Sequence, residues 1–340
     1  MSHDYQYVLE RLDTAAKTIF DSDARVHAVG IGGSSSGFHY QAIRNTTKVV
    51  AYSVRISHVP SIDSIPVAFS DAFADAESLF RVPHSGVVPL VTTSIPEQQT
   101  RRPLVCGLQI ENYDDDVRTG EIAKGYIVIG TLGCFVRLQA GATAILSNNH
   151  VVAGENRGAK NVDRITQASG DPATNPAAEV AILTDFVKLL GSPPGASVAT
   201  GTVVWNDVDA GVASVGQGIV ANQTFLRRRK VAGPSGTGVV ALGDDVYKIG
   251  RTTGLTYGKV VSIATIVGPI AYGPIHVWFR NSFTIEGVDG ATFSDHGDSG
   301  SAILRKGTGE VLGLLYAGNG SQTFACPIGA VLSSLGATVL

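Results

Sequence analysis

The chain has 340 residues and a formal charge of −3, a length that suggests about two domains and a balance that excludes nucleic-acid recognition by bulk electrostatics, which needs a strongly basic face. Charged residues are only 16% and glycine fills 40 positions, so tight turns outnumber charged helices, and the frequent valine, isoleucine and threonine favour pleated strands. No apolar stretch reaches the ~20 residues that cross a bilayer, so a membrane span is not expected and a mainly β protein is.

The first residues, Met1-Ser2-His3-Asp4, lack the basic start and apolar core of a signal peptide. Residues 4–20 then place Val8, Leu12, Ala15, Ala16 and Ile19 at the 3.6-residue spacing of a helix with one buried face. From Val26 the pattern turns to strand, and 48–58 reads as another strand, so the start of the chain is expected to form a small α+β unit. Between these lies Gly30-Ile31-Gly32-Gly33-Ser34-Ser35-Ser36-Gly37. It lacks the Gly-Lys-Ser/Thr ending of a phosphate-binding loop, and a flexible hairpin connection is the better reading.

Pro60, Pro66, Pro83, Pro89, Pro96 and Pro103 follow closely. Proline fixes φ and removes a donor, which suits extended connections, so residues 1–103 are expected to form the small domain with its linker and residues 104–340 a second domain. There, strands are expected at 125–132, 134–138, 143–146, 179–183, 201–204, 210–215, 246–249, 259–267, 276–279, 282–286, 302–304 and 311–316. Ile328, Val331, Leu332 and Leu335 fall at helical spacing, so a closing helix is expected. Arg227-Arg228-Arg229-Lys230, with no aromatic residue interleaved, reads as a solvated loop tip. The cysteines Cys106, Cys134 and Cys326 show no Cys-x-x-Cys spacing and read as buried reduced thiols of a cytoplasmic protein. Neither a metal nor a cofactor is expected.

Three stretches carry chemistry. Gly297-Asp298-Ser299-Gly300 brackets a serine with glycines. A serine hydroxyl is a weak nucleophile that needs a base and a site for the negative charge it creates; Gly297 has the backbone freedom to aim its N–H and that of Ser299 at one point, and Gly300 lets a substrate backbone approach. The same four residues also make a good turn without chemistry. Ser147-Asn148-Asn149-His150 ends an apolar run in a histidine, and Asp207-Val208-Asp209-Ala210 puts an aspartate before a strand. The order His, Asp, Ser within one β-rich segment favours a nucleophile over a turn.

With these motifs, residues 104–340 resemble a trypsin-like serine protease of the chymotrypsin fold. Tyr247-Lys248-Ile249-Gly250-Arg251-Thr252-Thr253-Gly254 is similar to a segment of bacterial members. The wider arrangement, with Gly130-Thr131-Leu132-Gly133-Cys134, is similar to bacterial intracellular trypsin-like proteins and to plant NARROW LEAF 1-type proteins. The resemblance implies two six-stranded antiparallel barrels with the site between them, and a serine endopeptidase whose triad is His150, Asp209 and Ser299, with Gly297 and Ser299 as oxyanion donors. Asp207 competes with Asp209 for the acid role, but only Asp209 directly precedes Ala-Gly-Val-Ala.

The resemblance also implies that Phe293 stands at the base of the substrate pocket, with Tyr316, Ala317 and Gly318 as its wall; His296, which adjoins Gly297, is expected to line the cleft. No carboxylate stands at Phe293, so apolar or small side chains are expected over Lys or Arg. Secreted relatives pair the aspartate before the serine with a newly made N-terminus; no activation site precedes this domain, which leaves Asp298 in need of another partner. The alternative from another class is a binding or regulatory protein with a latent cleft, residues 1–103 recruiting a partner or a second copy.

Overall fold

The computed structural model describes residues 3–22, 26–34, 37–44, 52–55, 86–89, 96–122, 126–167, 170–198, 200–226 and 231–340. The basic run 227–230 and the proline-rich stretch before residue 86 lie outside the described residues. The helical periodicity at the start is realised as two helices, His3–Glu10 and Leu12–Ser22. Their buried face is the one the spacing marks: Val8, Leu12, Ala15, Ala16 and Ile19 pack with Ile31, Tyr40, Val198, Ile266 and Trp278. Phe20 meets the Trp278 ring edge-on at 5.4 Å.

The glycine-rich segment differs from its expected form. Gly30 and Gly33 are not in a loop; they lie within the strand Val26–Ser34, which is paired with Gly37–Arg44. Packing explains the glycines. A Cβ at Gly30 would stand 2.2 Å from Ser262 Oγ, and one at Gly33 2.4 Å from Leu242 Cδ2, so both positions serve close approach between elements.

The described strands form sheets of ten and nine strands and a two-stranded ribbon. In the larger sheet Gly254–Tyr272 pairs with Ile275–Gly287, which closes Asp245–Gly250, Gly254–Tyr272, Ile275–Gly287, Gln322–Pro327, Val311–Gly318 and Ala302–Arg305 into a ring of six. No such closure joins the ends of the nine-stranded sheet among the described residues. Beyond the ring, Trp205–Asn206, Val26–Ser34, Gly37–Arg44 and Tyr52–Arg55 extend the larger sheet, and Gly86–Pro89 and Ala337–Val339 stand at the two edges of the other. Val26–Ser34 pairs with Gly254–Tyr272, and Gly86–Pro89 pairs with Tyr126–Thr131, so main-chain pairing crosses residue 103.

Two expected strands, 276–279 and 282–286, are one strand, Ile275–Gly287, bent where Asn281 takes a φ of 59°. The expected strand at 201–204 is not formed; Gly201 at φ 68° turns the chain, and the adjacent Trp205–Asn206 pairs with Ile275–Gly287 instead. Short strands that were not expected are also present, among them Leu104–Cys106, Gln109–Asn112, Arg164–Thr166, Ala221–Phe225, Gln322–Pro327 and Ala337–Val339. The closing helix spans Ile328–Leu335 and is ended by Gly336 in the left-handed conformation. No helix among the described residues is long and apolar enough to cross a membrane.

A short helix, Tyr113–Arg118, is capped by the Asn112 side chain, which accepts the Asp115 N–H at 2.9 Å. Its Asp116 is buried, and it accepts the Val128 N–H at 3.0 Å. Burial first, then the neighbouring Glu111, Asp115 and Glu121 charges, push its carboxyl from 3.8 up to about 8. Between those values the folded state keeps a proton that the unfolded state releases, so stability falls as pH rises from about 4 to about 8. Asp116→Asn is therefore expected to raise the thermal midpoint at pH 9 more than at pH 5, as read by thermal unfolding at both.

Candidate active site

Adjacent strand ends bring the histidine and the aspartate together. Thr143–Ser147 pairs with Gly211–Val215, with Ser147 opposite Gly211, so the residues just beyond these ends are neighbours. Asn148 then breaks the strand: its Nδ2 donates to the Asp209 carbonyl at 2.7 Å, and it stands as N-cap of the one-turn helix Asn149–Val152. Asn149 donates to the Val187 carbonyl at 2.7 Å and accepts the Asn156 N–H at 3.0 Å. Short amides suit this place because one side chain both donates and accepts.

On that frame His150 Nδ1 is hydrogen-bonded to Asp209 Oδ2, and the His150 N–H donates to Asp209 Oδ1 at 3.3 Å. Tyr272 O–H donates to Asp209 Oδ2 at 3.0 Å. With Nδ1–H facing the carboxylate, the lone pair of the neutral imidazole is on Nε2. Nε2 is buried and has no hydrogen-bond partner among the described residues. Asp207 is elsewhere: it is half exposed and accepts from Arg280 Nε at 2.9 Å on the surface.

The serine loop comes from the other sheet, just before Ala302–Arg305. Thr131 fastens it, its N–H donating to the Ser299 carbonyl at 2.8 Å and its hydroxyl to the Gly297 carbonyl at 2.9 Å. Gly297 lies at φ 93° and Gly300 at φ 90°, a region closed to most other residues. The neighbour that needs the space at Gly300 is not a substrate. A Cβ there would lie 2.1 Å from Ser147 Oγ and 2.4 Å from the Thr131 carbonyl, so this glycine lets the two sheets touch at the end of the strand that leads to His150. The Gly297 N–H donates to no acceptor among the described residues.

Asp298 has a partner that apolar patterning concealed. Its Oδ2 accepts from Lys248 Nζ at 3.1 Å and from Thr253 Oγ1 at 2.6 Å, and its Oδ1 accepts the Thr252 N–H at 2.8 Å. Both charges are fully buried. Burial pushes the Lys248 ammonium below its ordinary value, against the opposing pull of Asp298. The signal in the sequence was a single lysine inside an apolar strand, where a charge needs a buried counter-charge. Lys248→Met leaves that carboxylate without its cation and is expected to cost about 3–5 kcal/mol of stability in denaturant unfolding, with part of the loss recovered in the Lys248→Met/Asp298→Asn double variant.

The residues expected to form a substrate pocket are distributed differently. Phe293 packs in a core cluster with Val246, Val260, Phe283 and Leu315, and its ring is 1% exposed. Tyr316 and Ala317 are buried as well; the Tyr316 ring lies 4.5 Å from that of Phe279 and its hydroxyl meets Ser282 Oγ at 2.9 Å. A Cβ at Gly318 would lie 2.7 Å from the Gln322 carbonyl and 3.5 Å from Ser294 Oγ. His296 is exposed next to Gly297. Residues of the site that sequence reasoning missed are Thr131, Lys248, Tyr272 and Asn148. Among the described residues, no group of three His, Cys, Asp or Glu side chains lies close enough to hold a metal.

Against solved structures the chain has many matches. It is similar to bacterial serine proteases. Thermobifida fusca protease A matches at 17% identity over 62% of this chain and 91% of its own, with a TM-score of 0.43. A glutamic acid-specific serine protease, described as using a histidine triad in substrate binding, matches at 18% over 70% and 100%, with a TM-score of 0.46. The Nocardiopsis protease matches at 14% over 62% and 92%, with a TM-score of 0.43. No protein-family model and no curated protein matches the chain.

Proposed function

We propose that this chain is a serine endopeptidase acting through an acyl-enzyme. The observation that carries the reading is the buried His150–Asp209 pair, whose Nε2 lone pair has no partner among the described residues, together with a serine loop held by Thr131 and by Lys248–Asp298. Ser299 Oγ attacks the substrate carbonyl carbon and its proton passes to His150 Nε2; Asp209 fixes the tautomer and balances the imidazolium. The oxyanion takes the N–H groups of Gly297 and Ser299. Collapse breaks the C–N bond, the amine leaves with the proton from His150, and water cleaves the Ser299 ester by the same relay. Lys248 takes the place of the new N-terminus that zymogen-type relatives need, so the serine loop is shaped without cleavage upstream.

Three free, buried cysteines favour a reducing, cytoplasmic setting. Residues 1–103 are proposed as a unit that docks a regulatory partner or a second copy. One observation favours the second reading, a latent or regulatory form: His150, Asp209 and Ser299 are all at most 1% exposed, so substrate reaches them only after the cleft opens. Labelling of the full-length chain by a fluorophosphonate probe, with His150→Ala as control, separates the two. Labelling lost in the control is the expected result, and no labelling of the unaltered chain favours the latent form.

A further inference from the structure

Tyr272 ends the long strand Gly254–Tyr272 at the tip of its hairpin with Ile275–Gly287. It is fully buried, and its hydroxyl donates to the same Asp209 oxygen that takes His150 Nδ1. Its ring packs 5.6 Å from that of His150 and 6.2 Å from that of Phe279. The tip is pinned: the Ser192 N–H donates to the His276 carbonyl at 2.8 Å. The strand behind it is held by the amino-terminal strand, with Ala28 opposite Val267 and Ile31 opposite Ile263.

We infer that Tyr272 is the positioning residue for the acid of the triad, its hydroxyl holding the buried Asp209 carboxylate in the orientation that fixes His150. This rests on the protease reading for its kinetic consequences. A buried carboxylate needs donors, and at Asp209 they come from His150 itself and from Tyr272. Burial and the Asp209 charge hold the phenol well above its ordinary range, so it remains a donor. The other titratable groups facing the pair are Tyr316 and Cys326, both kept neutral by burial; the Cys326 sulfur accepts the Asp209 N–H at 3.4 Å. Asp207 is half exposed and paired with Arg280, and Glu155, whose carboxylate lies against Gly273 next to the tyrosine, is paired with Arg157.

Without the tyrosine hydroxyl, the carboxylate charge is balanced by His150 alone, and the Asp209–His150 pair binds a proton more tightly. Tyr272→Phe keeps the ring and removes the donor. In the full-length chain the expected result is a loss of about tenfold in kcat, KM within about twofold, and an acid limb of the kcat/KM profile moved to higher pH. The low-field His150 Nδ1–H proton resonance, assigned by its loss in His150→Ala, moves downfield. Phe279→Leu loosens the same ring stack without touching Asp209 and is expected to leave both the acid limb and the resonance in place.

Stability gives a further measurement. Any loss in Tyr272→Phe is expected to disappear when Asp209→Asn is added, because the charge needing the donor is gone. An unmoved resonance with an unmoved acid limb in Tyr272→Phe overturns the inference, as does a stability loss that persists with Asp209→Asn. Absence of turnover and labelling in the unaltered chain overturns the protease reading instead, and the resonance and stability arms still decide the role of Tyr272.

Discussion

Replacing Ser299 by alanine is expected to lower hydrolysis of a peptide or ester substrate by about 10⁴–10⁶-fold while leaving the fold intact. Alanine keeps the backbone that the site needs: the Thr131 N–H still binds the residue 299 carbonyl, and Gly297 and Gly300 still hold their positive φ. Only the nucleophile is lost, so no ester forms and His150 has no proton to move. Binding and the oxyanion N–H groups remain, which leaves residual rate above the uncatalysed reaction. The measurement is single-turnover hydrolysis by the purified variant, with its unfolding midpoint as a check. Hydrolysis equal to that of the unaltered chain would remove Ser299 from the mechanism.

Asp209→Asn is expected to cost on the order of 10⁴-fold in kcat, and Asp207→Asn less than about twofold. An asparagine amide facing Nδ1 presents a donor where the imidazole needs an acceptor, so the proton moves to Nε2 and the base faces the wrong way. Asp207 has no such duty: it is half exposed and bonded to Arg280, a surface pair worth about 0–1 kcal/mol. Steady-state kinetics of the two variants side by side, on a substrate the unaltered chain cleaves, distinguish them. Equal losses would mean that the acid role is shared or belongs to neither.

Much of the candidate site was legible because its parts are local. A glycine pair around a serine, a histidine closing an apolar run and an aspartate before a strand are each written in a few consecutive residues. Likewise the helical face of Val8, Leu12, Ala15, Ala16 and Ile19 was readable from spacing, and those side chains are buried in the structure. The pocket was not. Phe293 has the position of a pocket residue along the chain, yet whether a ring points to a cleft or a core depends on what packs behind it, here Val260, Phe283 and Leu315. Gly30 and Gly33 read as a loop because their reason, the approach of Ser262 and Leu242, lies more than two hundred residues away in the chain.

By itself the amino-acid sequence determined a strand-rich chain with an amphipathic start, a closing helix and three motifs in the order His, Asp, Ser, since periodicity and turn chemistry act between near neighbours. Tertiary structure supplied the partners. It put Asp209, the acid that the Ala-Gly-Val-Ala motif already favoured, against His150, supplied Lys248 to Asp298, brought Tyr272 to that acid, and pressed Ser147 and Thr131 against Gly300. The physical reason is common to all four. Buried charges and tight backbone contacts are satisfied by groups from other strands, and which strands are neighbours is set by sheet pairing, which no short stretch of sequence contains.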